Sequence, residues 1–318
     1  MKALQSRVAG IDVHKEILAV TVLIGEADAE PEVTQFQCDT FTEDLMRLGS
    51  KLLDLGVKDV VCESTGVYWK PLHNVLTPMG ITLTVGQAAH MRNVPGRKTD
   101  MNDSHWIATL HRYGLVRASF IPDDVFQRMR LLSRHRTNLV EDLSRVKNRV
   151  QRTLEDGNVK FGSIASDVFG KSGIQILRSI AAGNTDAKVL ASKVTTQIKR
   201  KEEARKALTN CLTKDHCFLV KELMAQYDDI TKRIVNVENE LMDRAKPYSH
   251  LIEELQKIPG ISDVLAYAII AEATTDMSHF KDERSFAAWS GVAPGNNESA
   301  SKKKDQNVGR GILTYGES

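Results

Sequence analysis

The most constraining stretch is residues 8–24, VAGIDVHKEILAVTVLI, in which one carboxylate, Asp12, interrupts what otherwise reads as two buried strands. Val8, Ala9, Gly10 and Ile11 form a short apolar run, residues 17–24 form a second rich in Val, Ile and Leu, and residues 13–16 suit the turn between them. The pattern predicts a β-hairpin. An ionised carboxylate inside a core strand is strongly unfavourable unless it is paired or bound to a metal. Asp12 therefore either faces water at a strand end or has partners elsewhere in the chain.

The next hundred residues alternate as an α/β domain would. Residues 33–38 suit a third strand, and residues 43–55 a helix with Leu45, Leu48, Leu52 and Leu55 on one face. Val60, Val61 and Cys62 make a short buried strand ending in Glu63, residues 68–79 a second helix, and residues 81–85 another strand. Thr99 or Asp100 then caps a helix running to about Tyr113. Three strands followed by helix, strand, helix, strand and helix is the order of an RNase H-like sheet.

That order gives the acidic residues a common location. Glu63 sits at the carboxyl end of its strand, the edge where open α/β sheets present ligands, and Asp12 comes from the neighbouring part of the same sheet. Asp100 and Asp103 are three apart at a helix start, hence on one side of it. Asp103 continues into Ile107 and Leu110, the face that must pack on the sheet. Four converging acids repel one another, and divalent cations are the usual remedy. Oxygen-only ligands favour Mg²⁺ or Mn²⁺ over zinc. Two such ions held about 4 Å apart suit phosphodiester chemistry. Asp100 and Asp103 taken alone also fit helix-start carboxylates favoured by the macrodipole.

Composition narrows the classes. A chain of 318 residues suggests more than one domain, and a net charge of +2 says little about partners. Local charge says more: Arg128, Arg130, Arg134, Arg136, Arg145, Lys147, Arg149 and Arg152 face only Glu141 and Asp142 between positions 128 and 152. Such a helix suits either a polyanion or plain solvation. The four cysteines (Cys38, Cys62, Cys211, Cys217) form no CxxC pair and no zinc spacing, which points to a reduced, cytoplasmic protein. No apolar run is long enough to span a membrane, and no secretory leader is apparent.

Beyond residue 120 the pattern is helical. Leu132, Leu139, Leu143, Val146 and Val150 form one seam, and Leu219, Leu223, Ile230, Ile234, Val237 and Leu241 a second, able to pair as a coiled coil within or between chains. Residues 167–183 read as a Gly-punctuated helical connector, and residues 199–206 as a solvated charge run. Ile258, Pro259, Gly260 and Ile261 link two helical patterns and resemble a helix-hairpin-helix turn, whose glycine lets a phosphate approach backbone N–H groups. A plain turn is the alternative. The expected division is therefore an α/β RNase H-like domain over 1–120, a helical coiled-coil region over 121–245, and a mostly α domain over 246–318.

The wording of the motifs is more specific than their spacing. GIDVHKE at 10–16, ESTGVYW at 63–69, RKTDMNDSHWIA at 97–108 and FAAWSGVAPGNNESASKKK at 286–304 together resemble the DEDD transposases of bacterial insertion sequences, the family of bridge-RNA-guided recombinases. The resemblance implies a RuvC-like amino-terminal domain with an acidic quartet at Asp12, Glu63, Asp100 and Asp103. It also implies a serine nucleophile at Ser299, with Lys302, Lys303 and Lys304 beside it to hold phosphate. DNA, an element-encoded guide RNA and a second copy of the chain are the implied partners, and Mg²⁺ or Mn²⁺ the implied cofactor. Members of the family continue past the serine loop with further helices, whereas here VGRGILTYGES ends the chain, so a shortened final domain is expected. Three functions follow: a serine-and-metal transposase, a metal-dependent nuclease of the junction-resolving kind without serine chemistry, and a non-catalytic nucleic-acid-binding coiled-coil protein. GNNES favours the first over the second, and the inward-facing acids count against the third.

Overall fold

A computed structural model of the chain describes residues 3–63, 66–86, 100–194, 201–290, 298–299 and 302–303. The amino-terminal hairpin is longer than its apolar runs suggest: β1 (Arg7–Val13) and β2 (Ile17–Ile24) pair antiparallel with Asp12 opposite Ala19. The edge strand β3 (Glu32–Asp39) adds antiparallel to β2. On the other side β4 (Asp59–Glu63) runs parallel to β1, and β5 (Thr82–Gly86) parallel to β4. The resulting order β3-β2-β1-β4-β5 is the RNase H-like sheet expected from the element order.

Side-chain alternation along the strands separates two faces. Ala9, Ile11 and Val13 of β1 join Leu18, Val20 and Val22 of β2 and Val60 and Cys62 of β4 in one apolar core. That core is closed by Leu45, Leu48 and Leu52 of α1 (Thr42–Asp54) and by Leu72 and Leu76 of α2 (Trp69–Leu76). The amphipathic spacing of α1, with Glu43 and Asp44 in its first turn and Lys51 in its last, suits a helix at both ends as well as along its buried stripe. The opposite face is covered by α3 (Asp100–Arg112), where Ala108 meets Val8 and Leu23 and Ile107 meets Val61. With both faces covered, β1 and β2 read as near-continuous buried runs, while the edge strand β3 alternates.

The chain divides into two compact units, Met1–Ile121 and Pro122–Ser318. The second is built on two long helices, α4 (Asp124–Asp156) and, after α5 (Lys171–Ala181), α6 (Ala187–Ser192) and α7 (Lys201–Ala207), α8 (Lys214–Ala245). The end of α4 (Val150, Leu154) shares a core with the start of α8 (Cys217, Val220, Met224), and the start of α4 (Phe126, Met129) with the end of α8 (Leu241, Ala245). The two helices therefore run antiparallel within one chain. The α8 seam differs from the expected one in its first half. Leu219 is half exposed and Val220 is buried, because α5 also packs there through Ile176, Leu177 and Ile180 and turns the buried stripe towards it. The helices α9 (Ser249–Gln256) and α10 (Asp263–Ala273) pack on the start of α4 through Ile252, Ala266, Tyr267 and Ile270, and α11 (Glu283–Ser290) follows. Among the described residues no helix is long and apolar enough to cross a membrane.

Candidate functional site

The acidic site in the first unit is best read from rows that run across the sheet. Gln35, Thr21, Gly10 and Val61 lie in one register row across β3, β2, β1 and β4. The α3 backbone rests directly on this row: a Cβ built at Gly10 would lie 2.3 Å from the Ser104 carbonyl oxygen and 2.4 Å from the Ala108 nitrogen. Only glycine allows that approach. Two residues further towards the carboxyl end of β1, the next row on this face contains Gln37, Ala19 and Asp12. Glu63 extends β4 one residue beyond the last paired position, Ile11 with Cys62. Asp12 follows Gly10 by two residues and Glu63 follows Val61 by two, so both belong to the face covered by α3.

Asp103 immediately precedes Ser104, whose carbonyl touches Gly10, and stands one helical turn before Ile107, which packs on Val61. The three carboxylates sense one another. Burial pushes the Asp12 carboxyl above its ordinary value, the charges of Asp103 and Glu63 push it the same way, and His14 opposes them. The His14 Nε2 lies 3.0 Å from the Asp12 Oδ2, with the Asp12 side chain 18% exposed. His14 is the site residue that the sequence reading passed over. Its signal was present in GIDVHKE, since a residue two positions from a strand aspartate returns to the same side.

Asp100 begins α3, and its side chain lies outside the described residues. Among the described residues no three His, Cys, Asp or Glu side chains converge closely enough to hold an ion as they stand. The donor set nonetheless suits a hard cation: carboxylate oxygens, mutually repelling, on the rim of a sheet. The thiol nearest in sequence, Cys62, is pushed up to about 12 by burial and by Glu63, which makes it a poor thiolate ligand, and it points into the opposite core.

In the second unit, Ser299 lies in β6 (Glu298–Ser299), paired antiparallel with β7 (Lys302–Lys303) so that Ser299 stands opposite Lys302. Lys304 and residues 291–297 of the serine motif lie outside the described residues. Gly260 adopts φ +90° in an exposed turn between α9 and α10, where nothing lies within 4 Å of a built Cβ, and Ser262 caps α10 by accepting from the Leu265 N–H.

The eight basic residues counted on α4 do not form one free face. Arg130 donates to the Ala271 carbonyl at 2.9 Å and pairs with Glu272, which Arg134 also grips through two nitrogens at 2.8 and 2.9 Å. Arg136 pairs with Glu238 at 2.8 Å, and Lys147 sits 5.4 Å from the centre of the Phe169 ring. Arg128 and Arg145 are exposed but meet Asp124 and Asp142 one turn away, and Arg149 and Arg152 are exposed. Counting charge along α4 missed acids supplied by α8 and α10, so three of the seven arginines are paired within the unit.

Two transposase family profiles match the chain. One, for DEDD transposases of IS110 elements and described simply as "Transposase", spans residues 9–158; the other, described as "Transposase IS116/IS110/IS902 family", spans residues 252–311. A comparison with curated proteins finds no match. Among solved structures, Thermus thermophilus RuvC matches 36% of this chain and 99% of its own, with 13% identity and a TM-score of 0.27. RuvC from T. thermophilus in complex with a Holliday junction substrate matches equally, over 100% of its own chain. The first profile takes in Asp12, Glu63, Asp100 and Asp103 and the second takes in Ser299, in the chain order that the motifs suggested. The chain belongs to the DEDD transposases of the IS110 family.

Proposed function

We propose that this DNA transposase cleaves and rejoins element and target DNA with two sets of groups, the acidic residues Asp12, Glu63, Asp100 and Asp103 and the Ser299 hydroxyl. The observation that carries the reading is the coupling of Asp12 to Asp103 and Glu63 on the rim of the sheet, with burial raising the Asp12 carboxyl. Carboxylate oxygens on one face of a sheet rim suit a hard divalent cation. Mg²⁺ or Mn²⁺, held by the four acids, would supply charge stabilisation for phosphodiester exchange. The protein's own part is to fix the carboxylates, with His14 opposing the burial that disfavours the ionised form of Asp12.

Ser299 supplies the nucleophile. Its oxygen gives up its proton as it forms a bond to a DNA phosphorus, the bond from that phosphorus to a sugar oxygen breaks, and the freed sugar oxygen takes up a proton to leave as a hydroxyl. The phosphoserine link keeps the bond energy for rejoining, which hydrolysis does not. Lys302 and Lys303 supply charge for the phosphates, with Lys304 in the same run. The exposed arginines of α4 and the Gly260 turn add contacts to the nucleic-acid backbone. An element-encoded guide RNA and a homo-oligomeric assembly belong to the same reading and rest on the family resemblance.

The test is trapping on labelled element DNA followed by denaturing electrophoresis and peptide mapping. A protein-linked strand mapping to Ser299, lost in Ser299→Ala and in Asp12→Asn, is expected. Cleavage by Ser299→Ala at the wild-type rate with no linked strand would instead favour a metal-dependent nuclease.

A further inference from the structure

The face of the sheet beneath α3 is apolar at Val8, Leu23 and Val61, which meet Ile107 and Ala108 of the helix, and polar at Thr21. Thr21, fully buried, places its Oγ1 2.7 Å from the Oγ of Ser104, itself 2% exposed. The Gln35 amide donates to the same Thr21 oxygen at 2.9 Å. Gln35, Thr21 and Gly10 occupy one row across three strands, and it is on Gly10 that the Ser104 carbonyl rests. Ser104 is thus held at its backbone by close packing and at its side chain by a hydrogen bond, and it is the residue after Asp103.

A buried hydroxyl pair adds little net stability over apolar groups of the same shape. What it adds is direction. Apolar contacts let a helix slide or roll by fractions of an ångström, whereas a bond between two short side chains fixes rotation about the helix axis. Rotation matters here because Asp103 precedes Ser104 on α3 while Asp12 lies two residues beyond Gly10 on β1, so the turn of the helix decides how the two carboxylates face each other. We infer that the Thr21–Ser104 hydroxyl pair, braced by Gln35, is a positioning device that sets the rotation of α3 on the sheet and so aims the Asp103 carboxylate at Asp12. The inference rests on the reading of the acidic residues as a metal site. Thr21, Ser104 and Gln35 act through Asp103 and touch neither the metal nor DNA.

The test compares Mn²⁺ binding, read by the electron paramagnetic resonance signal of free Mn²⁺, with melting of the metal-free protein. The double variant Thr21→Val, Ser104→Ala removes both hydroxyls with little change of shape. Its Mn²⁺ affinity is expected to fall about tenfold or more, as for other groups that orient metal ligands, while the metal-free melting temperature stays within about 3 °C of wild type. Thr21→Ser keeps the hydroxyl and is expected to bind Mn²⁺ as wild type does. Wild-type Mn²⁺ affinity in the double variant, with binding lost in Asp12→Asn, overturns the positioning role and leaves the metal site standing. A large fall in metal-free melting that accompanies the loss of affinity makes the pair merely structural and also overturns it. If Asp12→Asn itself binds Mn²⁺ as wild type does, the acidic-site reading fails and the positioning role with it.

Discussion

Gly10→Ala tests the packing that brings α3 to the sheet. The added Cβ would lie 2.3 Å from the Ser104 carbonyl oxygen, 2.4 Å from the Ala108 nitrogen and 2.8 Å from the Ala108 Cα, where ordinary contact begins near 3.4 Å. All three are backbone atoms of one helix, so no side chain can swing aside. Helix and strand must separate by about 1 Å, and overpacking of this kind costs about 1–3 kcal/mol. For a unit of this size that corresponds to a fall in melting temperature of about 3–15 °C. The displacement carries Asp103 away from Asp12, and a shift of that size at a reacting centre lowers rate about 100-fold.

Gly49→Ala is the matched control. Gly49 is also buried, in α1, but a Cβ there would meet the Sδ and Cε of Met79 at 2.6 and 2.7 Å, the end of a flexible side chain. Alanine gains about 0.5–1 kcal/mol over glycine inside a helix, which offsets the displacement of Met79, so the net change should stay within about 1 kcal/mol. Differential scanning calorimetry with and without Mn²⁺, alongside strand-cleavage rates, reads both effects. Gly10→Ala melting and responding to Mn²⁺ as wild type does would refute the close approach of α3. A loss in Gly49→Ala as large as that in Gly10→Ala would show sensitivity to any added methyl, not to this contact.

Three further outcomes are expected. Burial first, and the charges of Asp103 and Glu63 after it, raise the Asp12 carboxyl above its unfolded value, so the metal-free first unit loses stability as pH rises through that raised value; Asp12→Asn should therefore melt higher than wild type at pH 7 without metal, and equal melting at pH 7 and pH 4 in both proteins would contradict this. Glu272→Gln leaves Arg130 without its buried partner and should destabilise the second unit by about 3–5 kcal/mol, measured by urea unfolding; a change under about 0.5 kcal/mol would mean that Arg130 is satisfied by the Ala271 carbonyl and its other contacts alone. Burial pushes the Cys38 thiol up to about 11 and the Cys62 thiol up to about 12, so iodoacetamide at pH 8 should label exposed Cys211 and spare both; labelling of Cys38 at the rate of Cys211 would show that the β3 edge opens in solution.

The first unit was legible in the sequence because each of its elements carries its own signal. The alternation in β3, the leucine stripe of α1 and the apolar runs of β1, β2 and β4 state which side of each element is buried, and chain order then leaves few sheets to choose from. Asp12 was legible as a carboxylate inside a core strand, Glu63 as one at the carboxyl end of a strand, and Asp103 as one at a helix start on the face that packs on the sheet. Gly10 was not, since nothing in VAGID distinguishes a glycine under a helix from one at a turn; the distinction needs the register of α3 on the sheet. The same holds for Thr21, an ordinary strand residue until Ser104 is found above it. In the second unit the failure was of another kind. Periodicity located both long helices, but it cannot say that a third helix shares the groove, as α5 does beside Val220, nor that Arg130, Arg134 and Arg136 meet acids 102 to 142 residues away.

The two faces of the sheet obey different rules, and the difference is what allows a site to exist. Under α1 and α2 the contacts are apolar, numerous and redundant, and one methyl group more or less changes stability without changing what points where. Under α3 the helix backbone rests close on the sheet, and particular contacts each fix a coordinate: Gly10 sets depth, Ile107 on Val61 and Ala108 against Val8 and Leu23 set position along the strands, and the Thr21–Ser104 bond resists rotation. The carboxylates beside them oppose this, because the charges of Asp103 and Glu63 add to burial in disfavouring ionised Asp12. A helix held only by apolar contact could relieve that repulsion by rolling. On the proposed reading, the Thr21–Ser104 pair two residues along the strands from Asp12 denies it that motion. The repulsion would then persist in the folded protein until a cation binds, and the energy that the acids would release by moving apart would become part of the affinity of the proposed site for the ion.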